Sequence, residues 1–401
     1  MMIRLRGLTW DHERGQGPLA AAAGTFEQSH PGVAIDWETR PLPGSAAEAC
    51  EMLAGDHDLL VVEHPCIGLA HRHGLLLPLD EPARAAELEA LARHSIGLSH
   101  ASYQFAGRQW ALAIDAAAQT ACYRPDRLER TPSRWAEVIA LAEAGRVLWP
   151  LRPADALASF FSLAANIGHP AAAGTGRFID ADAGRQVLKA MRAVARHLPA
   201  ACFEWGPLQT LEALALPTQQ AAYCPLIFSF SNYSRSRYRP KRVAFTDMPG
   251  LGDQGPRGAT LGGFGIAVSA RTPHPAPACA FAFHAASEAV QRSVHVDHMG
   301  QPAHALAWSD EHANQLCTHF FRMTRRTTEL SWLRPRDAGF LAASEAAGEI
   351  VHAFLRGEGD EEDALLRLAA IPFETASKSG LDGKEALACG AAQPQGVTMS
   401  K

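Results

Sequence analysis

Three short stretches carry residue types able to do chemistry. Trp10-Asp11-His12-Glu13-Arg14-Gly15 packs acids, an imidazole, a guanidinium and an indole into six residues. Glu63-His64-Pro65 sets a carboxylate beside an imidazole. Asp115 stands in the otherwise apolar run Gly107 to Asp126, GRQWALAIDAAAQTACYRPD. A carboxylate near an imidazole can move a proton, so Asp11, Glu63 or Asp115 with His12 or His64 are candidate acid–base pairs. The same groups can instead orient a captured solute by hydrogen bonds while aromatic rings cover its apolar face. A polar strand-to-helix loop with a capping role is the plainer use of the first stretch.

Other chemistry lacks its context. Gly250-Leu251-Gly252-Asp253-Gln254-Gly255 fits G-x-G-x-x-G, but Pro249 and Pro256 flank it. The dinucleotide fingerprint needs a helix opening inside it, and RGATLGG does not begin one, so a flexible loop is expected. His295, Asp297, His298 and His304 are close in sequence without an H-E-x-x-H arrangement, and read as helix-surface or loop histidines; His71 and His73 read the same way. No nucleophile elbow and no phosphate loop with Gly-Lys-Ser/Thr occurs. No catalytic residue, metal or cofactor is assigned. The basic run Arg235 to Arg242 reads as a solvated loop rim before it reads as a phosphate patch.

The elements that must position these residues follow from periodicity. Ile3–Thr9 predicts a strand, Pro18–His30 a helix, Val33–Trp37 a strand and Ala46–Leu53 a helix. Asp58–Val62 is a continuous apolar run, as in a strand covered on both faces, and Leu75–Asp80 closes the unit. The β-α-β-α-β order implies a parallel sheet whose ligands bind at the carboxyl ends of strands. Trp10–Arg14 and Glu63-His64 follow two such ends. Around Asp115 a strand is expected to leave one sheet, turn through small residues and enter another. Further helices are expected at Ser133–Gly145 (capped by Ser133), Ala154–Ile167, Asp182–His197, Ala276–Ala289, Ala338–Arg356 and Glu361–Ile371. Ala221–Ser231, Lys241–Phe245 and Gly262–Ser269 read as strands, the last returning to the first sheet. The tail from Ala376 reads as disordered.

Length and composition bound the class. A chain of 401 residues exceeds one ordinary core, so two lobes are expected. Hydrophobic residues at 47% and charged residues at 20% fit a soluble globular protein. A net charge of −5 argues against a nucleic-acid footprint. The eight cysteines form no C-x-x-C pair and read as buried, reduced thiols. The start, MMIRLRGLTWDHERGQG, has no apolar core of a secretion signal, so export is expected only if a leader was trimmed.

In order along the chain, these segments resemble the extracellular solute-binding protein family 1, the ligand-capture subunits of ABC importers. FEQSHPGVAIDW (Phe26 to Trp37) is similar to the family's first helix end and second strand. Asp56 to Asp80 is similar to its apolar strand, ligand loop, small helix and closing PLD. Gly107 to Asp126 resembles its hinge crossing. Gly262 to Ser269 with Pro273 to Phe283 resembles its returning strand and helix, and Gly300-Gln301-Pro302-Ala303 its G-P-R turn.

The resemblance implies an α/β, two-lobed periplasmic-binding-protein-like (type II) fold. Residues 1–113 plus 264–306 would form one lobe and 114–263 plus 307–375 the other, with the ligand between them. Carried over position by position, it places Trp10, Asp11, His12, Glu63 and His64 on the first lobe and Asp115 with Gln119 at the crossing. It places Phe161 and Trp205 on the second lobe, and Phe228, Phe230 and Tyr233 in the inter-lobe run PLIFSFSNY. Gly262 and Gly263 would let backbone approach the ligand, and Arg334 would meet a ligand anion. It implies a monomer that hands a small molecule to a permease if exported, in the periplasm. If Met1 is the native start, a cytoplasmic sensor is the alternative, as is an enzyme using the cleft acid–imidazole pairs. With aromatic residues at 7% of the chain, a small polar or anionic metabolite is as compatible as a sugar.

Overall fold

A computed structural model describes residues 2–172 and 178–373. Among the described residues ten strands run in chain order: β1 (Ile3–Trp10), β2 (Val33–Arg40), β3 (Leu59–Val62), β4 (Leu76–Leu77), β5 (Gln104–Phe105), β6 (Arg108–Gln109), β7 (Leu112–Tyr123), β8 (Tyr223–Phe228), β9 (Ala244–Thr246) and β10 (Leu261–Ser269). The main path is β2-β1-β3-β10-β7-β8, with β4 on β10 and β9 on β7; β5 and β6 form a small separate hairpin. β1 lies parallel to β2, from Ile3 opposite Val33 to Trp10 opposite Arg40, and parallel to β3. β10 is antiparallel to β3 and β7.

β7 joins the two lobes. Its residues from Leu112 to Ala118 pair with β10, and those from Gln119 to Tyr123 pair with β8 and β9. The expected turn after Asp115 is absent: β7 is one strand of twelve residues. Ala116, Ala117 and Ala118 are buried and carry no glycine or proline to break the strand, so the chain stays extended while its partners change. The irregularity lies in β7 beside Asp115: Phe264 and Gly265 of β10 pair with Asp115 and Ala113, so Ile114 is an extra residue on the crossing strand. Gln301, in the predicted turn, secures this junction. Its Nε2 donates to the Ala116 carbonyl at 2.7 Å, and its Oε1 accepts the Ser231 amide at 2.9 Å.

The helix predicted from Pro18 begins earlier and spans Glu13–Ser29. His12 is its N-cap, the ring Nδ1 accepting the Arg14 amide at 3.0 Å. The helix expected from Ser133 starts instead at Trp135 with Arg134 as cap, and Glu137 turns back to accept the Ser133 and Arg134 amides. Helices Pro153–Asn166 and Phe340–Leu355 pack together beside the second set of strands. The periodicity reading passed over helices Ile67–Arg72, Ala85–Arg93, Pro207–Leu214, Ala305–Ser309, Glu311–Leu316 and Phe320–Glu329, most of them short. The tail from Ala376 lies outside the described residues. Among the described residues, no helix is long and apolar enough to cross a membrane.

Several motifs acquire structural roles. The glycine loop at 250–255 is closed by Asn166, whose Oδ1 accepts the Leu251 and Gly252 amides, both at 2.8 Å, and whose Nδ2 donates to the Gly255 and Arg257 carbonyls. Those two amides are therefore taken, and no helix begins at the loop to present further donors to a phosphate. In the basic run, Arg235 is buried against the Val296 carbonyl, Arg239 is bound to Glu212, and Lys241 pairs with Asp126. His295 is buried against Gln291, His298 bonds the Val294 carbonyl, and Asp297 pairs with His312. His304 stacks on His94, and His71 packs against Trp110. Among the described residues, no group of three or more His, Cys, Asp or Glu is placed to hold a metal ion.

Candidate functional site

A cavity of about 480 Å³ opens where the two lobes face each other. The first lobe contributes the carboxyl end of β1 (Leu8, Thr9, Trp10), Arg14, the loop from Arg40 to Ser45, Glu63 and Cys66. The second contributes Arg152 to Ala154, Phe161, Phe228, Phe230 and the Phe340–Leu355 helix. Gly262, Gly263 and Phe264 of β10 form the floor with Ala117 of β7, and Arg334 stands on the wall. Of the residues picked from sequence, Trp10, Glu63, Phe161, Phe228, Phe230, Gly262, Gly263 and Arg334 share this cavity.

Six aromatic side chains line it: Trp10, Phe161, Phe228, Phe230, Phe264 and Phe340. Trp10 stacks on Phe264, their centroids 4.9 Å apart, and meets Phe230 edge-on at 6.0 Å. The whole-chain aromatic fraction thus understates the cleft, because the rings are concentrated where the lobes meet.

The polar groups are largely held in place by partners. Arg334 Nη2 donates to Glu63 Oε2 at 3.2 Å, and its guanidinium carbon lies 5.8 Å from the Phe228 centroid. Arg334 Nε is buried without a protein partner. Arg152 donates to Asp155 at 2.5 Å; burial pushes the Asp155 carboxyl up to about 6, against the pull of Arg152. On the Phe340–Leu355 helix Ser344 lines the same cavity, while its hydroxyl oxygen is buried without a protein partner.

Arg14 is the central residue that sequence reasoning passed over. Its Nε and Nη2 donate to the two Asp115 carboxylate oxygens at 2.7 and 2.5 Å, and its Nη1 donates to the Ser229 carbonyl at 2.6 Å. The guanidinium lies 4.8 Å from the Phe230 centroid and 5.8 Å from that of Trp10. The signal was present, since a lone buried acid in an apolar strand demands a cation, but nothing in one sequence says which arginine answers it.

Other predicted residues fall elsewhere. Asp115 lies behind the cavity wall in its pair with Arg14, where burial outweighs the guanidinium and raises its carboxyl above the ordinary value. Gln119 is fully buried; its Oε1 accepts the Ser162 hydroxyl at 2.6 Å and its Nε2 reaches Ser159 at 3.3 Å, so it joins β7 to the Pro153–Asn166 helix. Asp11 is exposed and accepts from Gln16. His64 is buried against Tyr103, and burial holds its imidazole well below the ordinary value, hence neutral. Gly262 and Gly263 line the cavity, yet their small size answers packing demands as well. A Cβ on Gly262 would stand 2.9 Å from the Phe228 ring, and one on Gly263 would strike the Asp115 carbonyl.

His12, Trp205 and Tyr233 belong to a second, open groove of about 620 Å³ with Leu208, Gln209, Glu212 and Arg239. There Tyr233 donates to Glu212 at 2.6 Å, and Arg239 binds the same carboxylate at 2.7 Å. His12 stacks on Trp10 at 5.1 Å; burial, then Arg14, lowers its imidazole to about 4. The Nδ1 of His12 is taken by the Arg14 amide, and among the described residues no hydrogen bond joins His12 or His64 to Asp11, Glu63 or Asp115.

No family model matches the chain, and no curated protein matches it by sequence. Solved structures do match it. A maltose-bound MalE3 of T. maritima superimposes with a TM-score of 0.76 at 18% identity, over 92% of this chain and 98% of that one. The GacH receptor of Streptomyces glaucescens, solved unliganded and with acarbose, gives 0.75 at 15% identity over 92% and 97%. An ABC transporter solute-binding protein of Agrobacterium radiobacter in complex with ribitol gives 0.74 at 17% identity, again over 92% and 97%. The chain has the two-lobed fold of these ABC transporter solute-binding proteins, as the sequence resemblance implied.

Proposed function

We propose that this protein is a non-catalytic receptor that captures a small polyhydroxylated solute, a sugar or polyol, in the cavity between its lobes. It would deliver that solute to an ABC permease. The observation that carries the reading is the cavity itself. Both lobes supply its walls, six aromatic side chains line it, and Glu63, Arg334 and Ser344 stand among them. Rings cover the apolar faces of a ligand, while a few polar groups at fixed positions set its orientation. Closure of the lobes would exclude water and raise the contribution of each hydrogen bond. The fold is that of proteins solved with maltose, acarbose and ribitol, which supports this ligand class over a plain organic acid.

In this reading the lobes are residues 1–113 with 264–306 and 114–263 with 307–375, and the receptor acts as a monomer. Trp10, Phe161, Phe228 and Phe230 are stacking surfaces, and Glu63 with Arg334 orients hydroxyl groups. The geometry gives no reason to prefer an enzyme, since His12 and His64 are both committed to structural positions.

The test is a thermal-shift screen of the purified chain against sugars, polyols, organic acids and amino acids, followed by recovery of any hit. A ligand at about 100 times its Kd adds roughly 2.7 kcal/mol to the native state. The expected hit is a sugar or polyol recovered chemically unchanged. A hit confined to organic acids would overturn the ligand class, and a converted ligand would overturn the receptor.

A further inference from the structure

Two cysteines far apart in sequence meet in the second lobe. Cys122 on β7 and Cys224 on β8 are direct antiparallel partners, and both are fully buried. Direct cross-strand partners have Cα atoms about 4.5–5.5 Å apart and side chains on one face of the sheet. That spacing lies inside the range of about 4.4–6.8 Å found across disulfides. Each lies close enough to influence the other, since Cys122 is among the groups that raise the Cys224 thiol. Cys224 also reaches the Leu226 carbonyl at 3.7 Å. A third buried thiol, Cys202, is close enough for its charge to be felt at Cys224.

We propose that Cys122 and Cys224 form a cross-strand disulfide when the chain folds in an oxidising compartment. The oxidant is another disulfide, either of a small molecule or of a thiol oxidase. The thiolate of one cysteine attacks that disulfide, releasing one thiol and leaving a mixed disulfide. The thiolate of the second cysteine then attacks the Sγ of the first, forming the Cys122–Cys224 bond and releasing the other external thiol. Two protons and two electrons leave the pair, and the external disulfide is reduced to two thiols.

Timing follows from burial. In the folded protein, burial and the facing Cys122 hold the Cys224 thiol protonated, and no solvent reaches either sulfur. The exchange therefore takes place before β8 closes against β7, and a molecule folded with both thiols reduced stays reduced. The link would join residues 102 positions apart and fix the outgoing half of β7 in the second lobe. It would leave the cleft unchanged, because neither residue lines it. This inference is independent of the receptor reading, and the redox state of the pair reports the compartment in which the chain matured.

The experiment refolds the full chain from denaturant, once in a glutathione redox buffer and once with excess reductant. Each sample is then denatured without reductant in iodoacetamide and analysed by mass spectrometry. The expected result is two fewer alkylated cysteines after oxidative refolding, with a linked peptide pair carrying Cys122 and Cys224. Native reduced protein exposed to the same buffer should keep all its thiols. Cys122→Ala and Cys224→Ala should each abolish the link without creating another. Full alkylation after oxidative refolding, or a link running to Cys202, would overturn the assignment.

Discussion

The Arg14 guanidinium and the Asp115 carboxylate meet in two parallel hydrogen bonds, of 2.7 and 2.5 Å, between a helix of the first lobe and the strand that joins the lobes. Their side chains are 3% and 9% exposed. The third hydrogen bond of Arg14, to the Ser229 carbonyl, reaches the segment just after β8. One arginine thus connects the helix after β1, the crossing strand and the second-lobe loop. The fork geometry of a guanidinium suits this, since a lysine could not satisfy three acceptors in one plane.

Removing the carboxylate should therefore harm the fold before it harms a ligand site. Asp115→Ala leaves a buried guanidinium without its counter-ion, which costs about 3–5 kcal/mol. The double variant Arg14→Met with Asp115→Leu should recover much of that loss, because a buried pair replaced by apolar groups of similar volume is often near neutral. Denaturant titration of the three proteins measures both numbers. Equal midpoints for Asp115→Ala and the parent chain would remove the pair from the stability of the junction.

The first sheet was legible because its cues are local. Alternation in β2, the apolar run of β3 and the stops at Pro31-Gly32 each depend on neighbours in sequence. Seven of the eight cleft residues picked from sequence were legible for a related reason, being aromatics or residues at strand ends; Arg334 is neither. Arg14, Phe264, Phe340 and Ser344 were not. Each reaches the cavity through packing that no sequence period records. Gln119 misled in the opposite direction: a polar residue in a buried strand reads as a ligand contact, and it is spent instead on two serines of one helix.

Gly263 tests the junction at backbone level. Its φ of +111° lies in the region open to glycine, and any Cβ there would meet the Asp115 carbonyl. Gly107 also has a positive φ, +74°, but nothing stands within 4 Å of the Cβ it would gain. Gly107→Ala should cost about 1–2 kcal/mol of conformational strain. Gly263→Ala should cost clearly more, because β10 must also move away from β7. Thermal melts of the two variants decide this, and equal losses would mean that close strand approach adds nothing to the demand for glycine.

Acid should weaken the fold through its buried histidines. Burial lowers His12 and His100 to about 4 and His295 to about 3. Their unfolded values are near 6.5, so the unfolded chain binds more protons as pH falls below that point. The stability these groups contribute is fully present above about pH 6.5 and is lost as pH falls toward 4. Asp155 works in the other direction. Its value, raised to about 6, makes the native state the better proton acceptor between about 6 and 4, and Asp115 is raised as well, but against these two carboxyls stand six lowered histidines, His64, His284 and His304 being the others. Denaturation midpoints at pH 7.5 and 4.5 should show the lower value at 4.5, with a smaller drop in His100→Gln. A flat or rising profile would mean that the carboxylates dominate.

Closure of the cleft has a specific contact at its rim. Glu345, on the Phe340–Leu355 helix, accepts the Ala46 amide at 2.5 Å. That amide belongs to the first turn of the Ala46–Leu53 helix, which Ser45 also caps through the Glu48 amide. A carboxylate at a helix N-terminus is favoured by the local dipole and by the free amide. Here the acid comes from the opposite wall of the cavity, so the bond exists only when the walls are close. Glu345→Ala should shift the population toward an open form and weaken ligand binding by about two- to tenfold, as expected for one partly exposed charge-assisted bond. Its melting temperature without ligand should barely change, because both helices keep their other contacts. Small-angle scattering without ligand should report a larger radius of gyration for the variant, and saturating ligand should bring the two proteins back together. An unchanged radius with unchanged affinity would show that the walls are held by the Arg14–Asp115 junction alone.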